Sequence, residues 1–445
     1  MENLLRDDIV KLIKRIIKKW PAYRRFIEGK GIDPLKIDSI SDLPVIDKQF
    51  IARAIHTVPL FKVRSIVPSS GSTGVDFSFG LFGEMEMKKA SVAIEEFLQK
   101  RFNTGNKKTL ILNLLPGAIP IQSSTATVAS IGVRIDTAIS AIKSLGSSFE
   151  QIILIGEPLF IKNLVEYGLK QSIQWKYLPL FIIVGGEWIS ESYRTYLEDI
   201  VGYHRIYSSM GMAELGLNCF YETDETIMLR RLLFEDNRLL RMLLGDLDFC
   251  PMLFAYDEED VYVETIAEPN DALESILLTT TDPMRVLPLI RYKGGDKGKK
   301  LSCPEINDAL KAMGYRELLN RTDLPILAHF GRGKNISGIY PEAIKDIIYS
   351  SMEIASSTTG NFILNSGKDK DTVELGIQLK EDVYATHDIK NRYRNSFNRL
   401  PVHIELYSFD LFPYPLNFER KVCYVTEGNN CRDRGREEIE LSAAV

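Results

Sequence analysis

Six small residues in a row, Ser69-Ser70-Gly71-Ser72-Thr73-Gly74, follow a β-branched run that ends at Val67 and Pro68. Hydroxyl donors and closely approachable backbone N–H groups are what a polyphosphate needs from a loop. No Gly-Lys-Ser/Thr follows, so this is not a Walker A loop. A flexible surface linker has the same composition, and the loop alone leaves both readings open.

Three further segments carry chemistry of a compatible kind. Ile182-Ile183-Val184 reads as a buried strand running straight into Gly185-Gly186-Glu187-Trp188, and ligands in open α/β sheets sit just beyond the carboxyl ends of strands. His204-Arg205-Ile206-Tyr207 repeats the arrangement and leads through Ser208-Ser209-Met210-Gly211-Met212-Ala213 to Glu214. A glutamate there suits Mg²⁺ against phosphate oxygens, or equally a helix start favoured by the dipole. In Pro288-Leu289-Ile290-Arg291-Tyr292-Lys293-Gly294-Gly295-Asp296 an aspartate follows a glycine pair. Such a carboxylate can chelate ribose hydroxyls or close an Asx turn.

The elements that must position these residues read as α/β. Residues 1–60 carry helical periodicity, with Leu4, Leu5, Ile9, Ile13, Ile16 and Ile17 on one face and a stop at Trp20-Pro21. Strands are expected at Val63–Val67, Thr109–Leu115, Gln151–Ile155, Leu180–Val184, His204–Tyr207, Val261–Glu264 and Ser275–Thr280. Helices are expected between them at Glu84–Lys100, Leu159–Tyr167 and Glu191–Ile200. Strands alternating with long helices imply a largely parallel sheet, and the later strands an antiparallel part. The polar run Gly331-Arg332-Gly333-Lys334-Asn335 marks a flexible domain boundary. The expectation is a large N-terminal domain, 1–331, of mixed and parallel sheet with helices, and a small α+β domain, 332–445, on a hinge.

Taken in order, the Ser/Thr/Gly loop, Gly-Gly-Glu-Trp, Gly-Met-Ala-Glu, Leu-Ile-Arg-Tyr-x-Gly-Gly-Asp and Gly-Arg-x-Lys resemble the adenylate-forming enzymes: acyl- and aryl-CoA synthetases, peptide-synthetase adenylation domains and luciferases. Pro21-Ala22-Tyr23-Arg24-Arg25-Phe26, Gly31-Ile32-Asp33-Pro34 and Ile40-Ser41-Asp42-Leu43-Pro44 are most similar to the phenylacetate–CoA ligase branch. The resemblance covers residues 20 to 350. It implies a ligase that uses ATP and Mg²⁺ to activate a small, aryl-type carboxylic acid as acyl-AMP. The acyl group would then pass to CoA, a carrier protein or another thiol or amine.

Residue by residue, the resemblance places Ser69, Ser70, Gly71, Ser72, Thr73 and Gly74 on the β- and γ-phosphates. It puts Gly185, Gly186 and Glu187 on the adenine side with Met210 and Gly211, Asp296 and Arg332 on the ribose, and Glu214 on the metal and in catalysis. Lys334 takes the hinge position, and Gln122, Ser123, Trp188 and Gly216 line the acyl pocket. Gln122 and Ser123 also read as a capped helix start, and Trp188 as core.

Three positions depart from the family pattern. The adenine-stacking aromatic is Met210, with Tyr207 nearby, and the hydroxyl residue before the glutamate is Ala213. The family's catalytic lysine aligns with Phe418, which leaves Lys421 and Arg420 to supply the charge from a shifted register. Ala213 and Phe418 leave open a nucleotide-binding pseudo-enzyme, and the similarity of this branch to acyl-protein synthetases of the bioluminescence type implies a further alternative, self-acylation on a C-terminal thiol, Cys423 or Cys431.

Composition bounds the partners. The chain has 445 residues with 55 basic and 60 acidic side chains, a net charge of −5, which gives no electrostatic footprint for nucleic acid or an anionic membrane. Five scattered cysteines, with no CxxC pair, and five histidines without metal-ligand spacing form neither a disulfide framework nor a zinc site. His204, just before a motif strand, is the one histidine near the chemistry in sequence. The N-terminus lacks a signal-peptide core and no apolar stretch reaches a membrane span, so a cytoplasmic protein is expected, with oligomerisation left open.

Overall fold

The computed structural model describes residues 2–68, 79–117, 119, 121–269, 271–321, 323–367 and 372–426, with side chains from residue 9 onward. The N-terminal periodicity forms helices Glu2–Lys19 and Pro21–Glu28, the second opened by Pro21, whose missing N–H costs nothing in a first turn. Ile13, Ile16 and Ile17 are buried. Trp20 stacks on Tyr23 at 5.3 Å, and Phe26 meets Phe50 at 4.7 Å. Phe50 lies on a third helix, Lys48–Ala54, whose N-terminus is capped by Asp47 accepting the Phe50 N–H at 2.8 Å.

The strands, in chain order, are β1 Val63–Pro68, β2 Phe79–Gly83, β3 Thr109–Leu114, β4 Thr127–Ser130, β5 Gln151–Gly156, β6 Leu180–Gly185, β7 Ile206–Met212, β8 Gly216–Tyr221, β9 Met252–Ala255, β10 Val261–Ile266, β11 Ser275–Thr280, β12 Tyr292–Leu301, β13 Ile326–His329, β14 Thr358–Ser366, β15 Val373–Leu379, β16 Val402–Tyr407 and β17 Val425–Thr426. Eleven of them form one sheet, ordered β10-β11-β12-β13-β9-β8-β7-β6-β5-β3-β4. The half β4-β3-β5-β6-β7 is parallel and the half from β7 to β10 is antiparallel. The helices Ile135–Leu145, Pro158–Lys170 and Glu191–Val201 lie in the crossovers between parallel strands, and Glu84–Phe102 joins β2 to β3. β3 and β5 read as unbroken apolar runs because both faces are covered.

Two motif segments fold differently from expectation. β7 starts at Ile206, because His204 adopts a left-handed φ of 56°, and it continues through Met212 by pairing with β8 (Ser209 opposite Tyr221, Met210 opposite Phe220). Glu214 therefore sits in a hairpin turn, not at a helix start. Asp296 lies inside β12, paired on one side with β11, so it closes no Asx turn. Ser123 does not open a helix either. Its hydroxyl accepts the Ala126 N–H at 3.0 Å and turns the chain into β4. β12 escaped the sequence reading because Lys293–Lys300 has almost no apolar residue.

A smaller sheet, β16-β15-β14-β17, packs with helices Pro341–Tyr349 and His387–Ser396. It shares one hydrophobic core with the large sheet. Tyr349 meets Tyr193 at 5.0 Å, and the buried Lys162 ammonium donates to the Thr358 carbonyl at 2.7 Å and pairs with Glu166 at 2.8 Å. Burial pulls the Lys162 amine down to about 8. In the run 331–335, Gly331 and Gly333 take positive φ values of 80° and 66°, and Arg332 is held as described below. Among the described residues no helix is long and apolar enough to cross a membrane.

The β1–β2 hairpin brackets residues 69–78 and presses its second strand on the β7–β8 turn. A Cβ on Gly80 would lie 1.8 Å from the Ala213 carbonyl oxygen. Gly80→Ala must therefore push the hairpin off the turn, which costs about 1–3 kcal/mol as an overpacking defect. Denaturant unfolding should register this loss, whereas Gly105→Ala, whose Cβ would meet nothing nearer than 4.0 Å, should stay within about 0.5 kcal/mol of the parent.

Candidate active site

β12 carries Asp296 to the carboxyl edge of the sheet. Its buried carboxylate receives the Arg332 guanidinium at 3.0 Å, and the His329 ring lies 3.6 Å away. Arg332 also donates to the Gly294 carbonyl at 3.0 Å. Gly295 makes this approach feasible: its φ is 95° and a Cβ there would sit 3.2 Å from the guanidinium. Burial by itself would raise the Asp296 carboxyl, but Arg332, His329 and Lys421 outweigh it and hold the group well below the usual carboxylate range.

Glu214 approaches from the β7–β8 turn. It is buried and accepts the Tyr292 hydroxyl at 2.8 Å, which ties it to the first residue of β12. Arg285 braces the turn from below, donating to the Glu214 carbonyl oxygen at 2.9 Å while pairing with Glu86 at 3.2 Å. Among the described residues no cluster of three or more metal-ligating side chains exists. A single buried carboxylate fits Mg²⁺, which keeps its waters and takes few protein oxygens. It does not fit an all-protein metal cage.

Two lysines enter from the ends of the chain. Ile46 bridges to Tyr292, its N–H donating to the Arg291 carbonyl at 3.1 Å while its own carbonyl accepts the Lys293 N–H at 2.8 Å. That staple sets Lys48, half-buried, among Arg332, Glu214 and Asp296. Burial and Arg332 hold its amine below the ordinary value, against the two carboxylates. From the other end, residues 414–424 lie over the carboxyl edge. Phe418 packs edge-on against Phe160 at 5.3 Å, and Glu419 accepts the Gly117 N–H at 3.2 Å. Tyr424 donates to Glu187 at 2.9 Å beside Lys345, which pairs with Glu187 at 3.1 Å. Lys421, half-buried, faces Asp296, Glu157, Glu187 and Arg332, and burial lowers its amine.

The structure thus brings Glu214, Asp296, Arg332, Glu187 and Lys421 to one edge, next to Gly185, which ends β6, and Gly186, which follows it. Residues 69–74 lie outside the described residues, as does Cys431. Met210 is half-buried in β7, and Gly211 allows the hairpin to close, since a Cβ there would come within 2.7 Å of the Gly216 carbonyl. Gly216 starts β8 with a φ of 123°.

Other expected residues lie elsewhere. Trp188 is buried between Phe249, at 5.9 Å, and Arg230, at 5.5 Å, so its ring is core. Gln122 is exposed and lines a surface groove of about 640 Å³ with Arg64, Met87 and Val92, which none of the edge residues enters, and Ser123 serves its turn. Lys334 and Arg420 are exposed. Tyr207 faces the opposite layer, its ring under Arg101 at 4.2 Å, so it does not stand in for the adenine-stacking aromatic. His204 is exposed, while His329, given no role in the sequence reading, is the histidine beside Asp296. Burial pushes the Cys219 and Cys250 thiols up to about 12, and Cys423 is exposed. Lys48, Glu157 and His329 carried no motif and were legible only in three dimensions.

No family model matches the sequence, and no curated protein matches it. Solved structures do. 2-Hydroxyisobutyryl-CoA ligase in its postadenylation state, in complex with R3-HIB-AMP, superposes with a TM-score of 0.66 at 15% identity, covering 97% of this chain and 91% of that one. The chain has the fold of the adenylate-forming CoA ligases. The same ligase in its thioesterification state, with 2-HIB-AMP and CoA, gives 0.52 at 16% identity over 96% and 92% of the chains. Anthranilate-CoA ligase with anthranoyl-AMP gives 0.50 at 11% identity over 86% and 68%.

The Asp296–Arg332 pair predicts an acid dependence. A carboxylate held low in the fold stabilises it above the unfolded aspartate value of about 3.9, and that contribution is lost as pH falls below it. Arg332→Ala lets burial raise Asp296, so its acid-unfolding midpoint should move to higher pH. Stability at neutral pH should fall by about 1–3 kcal/mol, less than for a sealed pair because the Arg332 side chain is 34% exposed. Circular dichroism between neutral pH and strong acid checks both, and an unmoved midpoint would refute the pairing.

Proposed function

We propose that this chain condenses a small carboxylic acid with ATP to an acyl-adenylate and passes the acyl group to a thiol, with coenzyme A as the acceptor. What carries this reading is the convergence of Glu214, the Asp296–Arg332 pair, Lys48 and Lys421 on one sheet edge, in a fold whose solved examples include ligases holding acyl-AMP and CoA. Residues 332–445 would then act as the mobile cap. The greater likeness to the postadenylation state than to the thioesterification state supports a docked pose in which Lys421 is delivered to the site.

The chemistry asks little covalent work of the protein. A substrate carboxylate oxygen bonds to the α-phosphorus, the bond from that phosphorus to the bridging oxygen breaks, and pyrophosphate leaves with the electron pair. In the second step a thiolate attacks the acyl carbon, AMP leaves, and the thiol proton goes to solvent. Asp296 and Arg332 orient the ribose, and Glu214 would hold Mg²⁺, which neutralises phosphate charge when bound. Lys48 and Lys421 place two ammonium groups where anionic oxygens of both reactants meet, so that positioning and fixed charge supply the rate. Phe418, packed on Phe160, takes no part.

Acid-dependent ATP–pyrophosphate exchange, run over aryl, hydroxyaryl, hydroxyalkyl, fatty and amino acids, tests the reading. Glu214→Ala, Asp296→Ala and Lys421→Met should each lower exchange by about 10²-fold or more, the loss expected for a charge-stabilising group, while Phe418→Leu should keep most of it. Absence of exchange with every acid refutes the enzyme reading. A second reading rests on Cys423, exposed two residues beyond Lys421: the acyl group would pass to this thiol before leaving. Intact mass after incubation with ATP and acid should then show a hydroxylamine-labile adduct, absent in Cys423→Ser.

A further inference from the structure

Glu157 follows β5 directly, so it stands at the carboxyl edge between the ends of β3 and β6, whose residues Leu114 and Val184 flank Gly156 in register. Its carboxyl is in contact with the next strand's turn, since a Cβ on Gly186 would lie 2.9 Å from Glu157 Oε1. The neighbouring acids on this edge are neutralised at bonding distance, Glu187 by Lys345 at 3.1 Å and Asp296 by Arg332 at 3.0 Å. Glu157 makes no such pair among the described residues. The strap 414–424 is pinned on both sides of it: Phe418 rests on Phe160, one turn along the helix that Glu157 precedes, and Tyr424 bonds Glu187. Between those anchors the strap presents Lys421.

We infer that Glu157 is a positioning residue that receives the Lys421 ammonium where the strap docks on the sheet edge. The family-type lysine position, filled by Phe418, has become an apolar anchor, and the charge arrives three residues later against an acid that this chain supplies. The electrostatics agree in kind. Burial and Glu187 push the Glu157 carboxyl up to about 8, against Lys421 and Lys345, with Glu419 adding to the rise. Around Lys421, burial and Arg332 lower the amine while Asp296, Glu157 and Glu187 raise it. The two groups thus compete for one proton, and the arrangement in which Lys421 keeps it is the one that serves an anionic substrate.

This inference rests on the ligase reading for its activity, so its test has a readout that does not. In the full-length protein at pH 9, where Glu157 is ionised despite its raised carboxyl, lysines are acetylated with a water-soluble active ester and quantified by peptide mass spectrometry. Removing the anionic partner lowers the Lys421 pKa and frees the strap, and both raise its reactivity. Glu157→Gln should label Lys421 about threefold faster or more than wild type, with Lys48 unchanged, and Glu157→Asp should fall between. Equal labelling of Lys421 in wild type and Glu157→Gln overturns the inference whatever the activity. Should Glu157→Gln fail to fold, Glu157→Asp carries the test, and no rise there overturns it.

In the exchange assay, Glu157→Gln should lower kcat by about tenfold with little change in KM for ATP, as for a misplaced group. The basic limb of its pH profile should move to lower pH, with partial rescue by Glu157→Asp. A wild type without exchange would refute the ligase reading and leave the labelling result to decide the role of Glu157.

Discussion

A carboxylate buried at the edge of a sheet is tolerable only if a cation reaches it, and the arrangement around Asp296 is organised by that demand. Arg332 meets it at 3.0 Å, but only because Gly295 leaves room and because Gly331 and Gly333 bend the chain through left-handed φ. The first residues of the segment expected to be a hinge thus carry a contact of the site itself. Any rotation of the following residues must pivot beyond Arg332 or break a pair whose loss strands a buried charge. The same strand carries Tyr292, which fixes Glu214, and bridges to Ile46, which fixes Lys48. One strand with few apolar residues thus holds the acid, the metal-type carboxylate and one of the lysines in a common frame.

That frame explains what the sequence could and could not tell. The parallel half was legible because β3, β5 and β6 are apolar runs separated by long amphipathic helices, a pattern that follows from burial on both faces. The antiparallel half was not. β12 reads Lys-Gly-Gly-Asp-Lys-Gly-Lys-Lys through its middle, and its pairing comes from neighbours far away in sequence, not from its own periodicity. β7 runs past the expected end at Tyr207 to Met212 because it pairs with β8, where Gly211 allows close strand approach. Local chemistry drew attention to Glu214 and Asp296, but the structure sets them on other elements than expected, a hairpin turn and the inside of a strand.

Residues without motifs were invisible in one dimension for a simpler reason. Lys48 follows an N-cap aspartate and looks like any first-turn lysine; its site neighbours are over 150 residues distant in sequence. Glu157 precedes a proline that starts a helix, where an acid is commonplace. His329 ends a short apolar strand. Each acquires meaning only from the strand order, which sets β5 beside β6 and β12 beside β13. Trp188 shows the converse. Its place in a motif suggested a ligand wall, but the ring is buried, with Arg230 over it and Phe249 edge-to-face against it.

The charges at the edge also constrain one another. Four acids, Glu157, Glu187, Glu214 and Asp296, face four cations, Lys48, Lys345, Arg332 and Lys421, with Glu419 and Glu342 adding acid beside Glu157 and Lys345. Lys48 and Lys421, which pair with no acid at bonding distance among the described residues, are the ones whose amines are held low, by burial and by Arg332. An anion that enters between them reverses that balance, because an opposite charge within a few ångströms favours the charged form. Binding a phosphate chain and protonating these amines are therefore linked, and each stabilises the other.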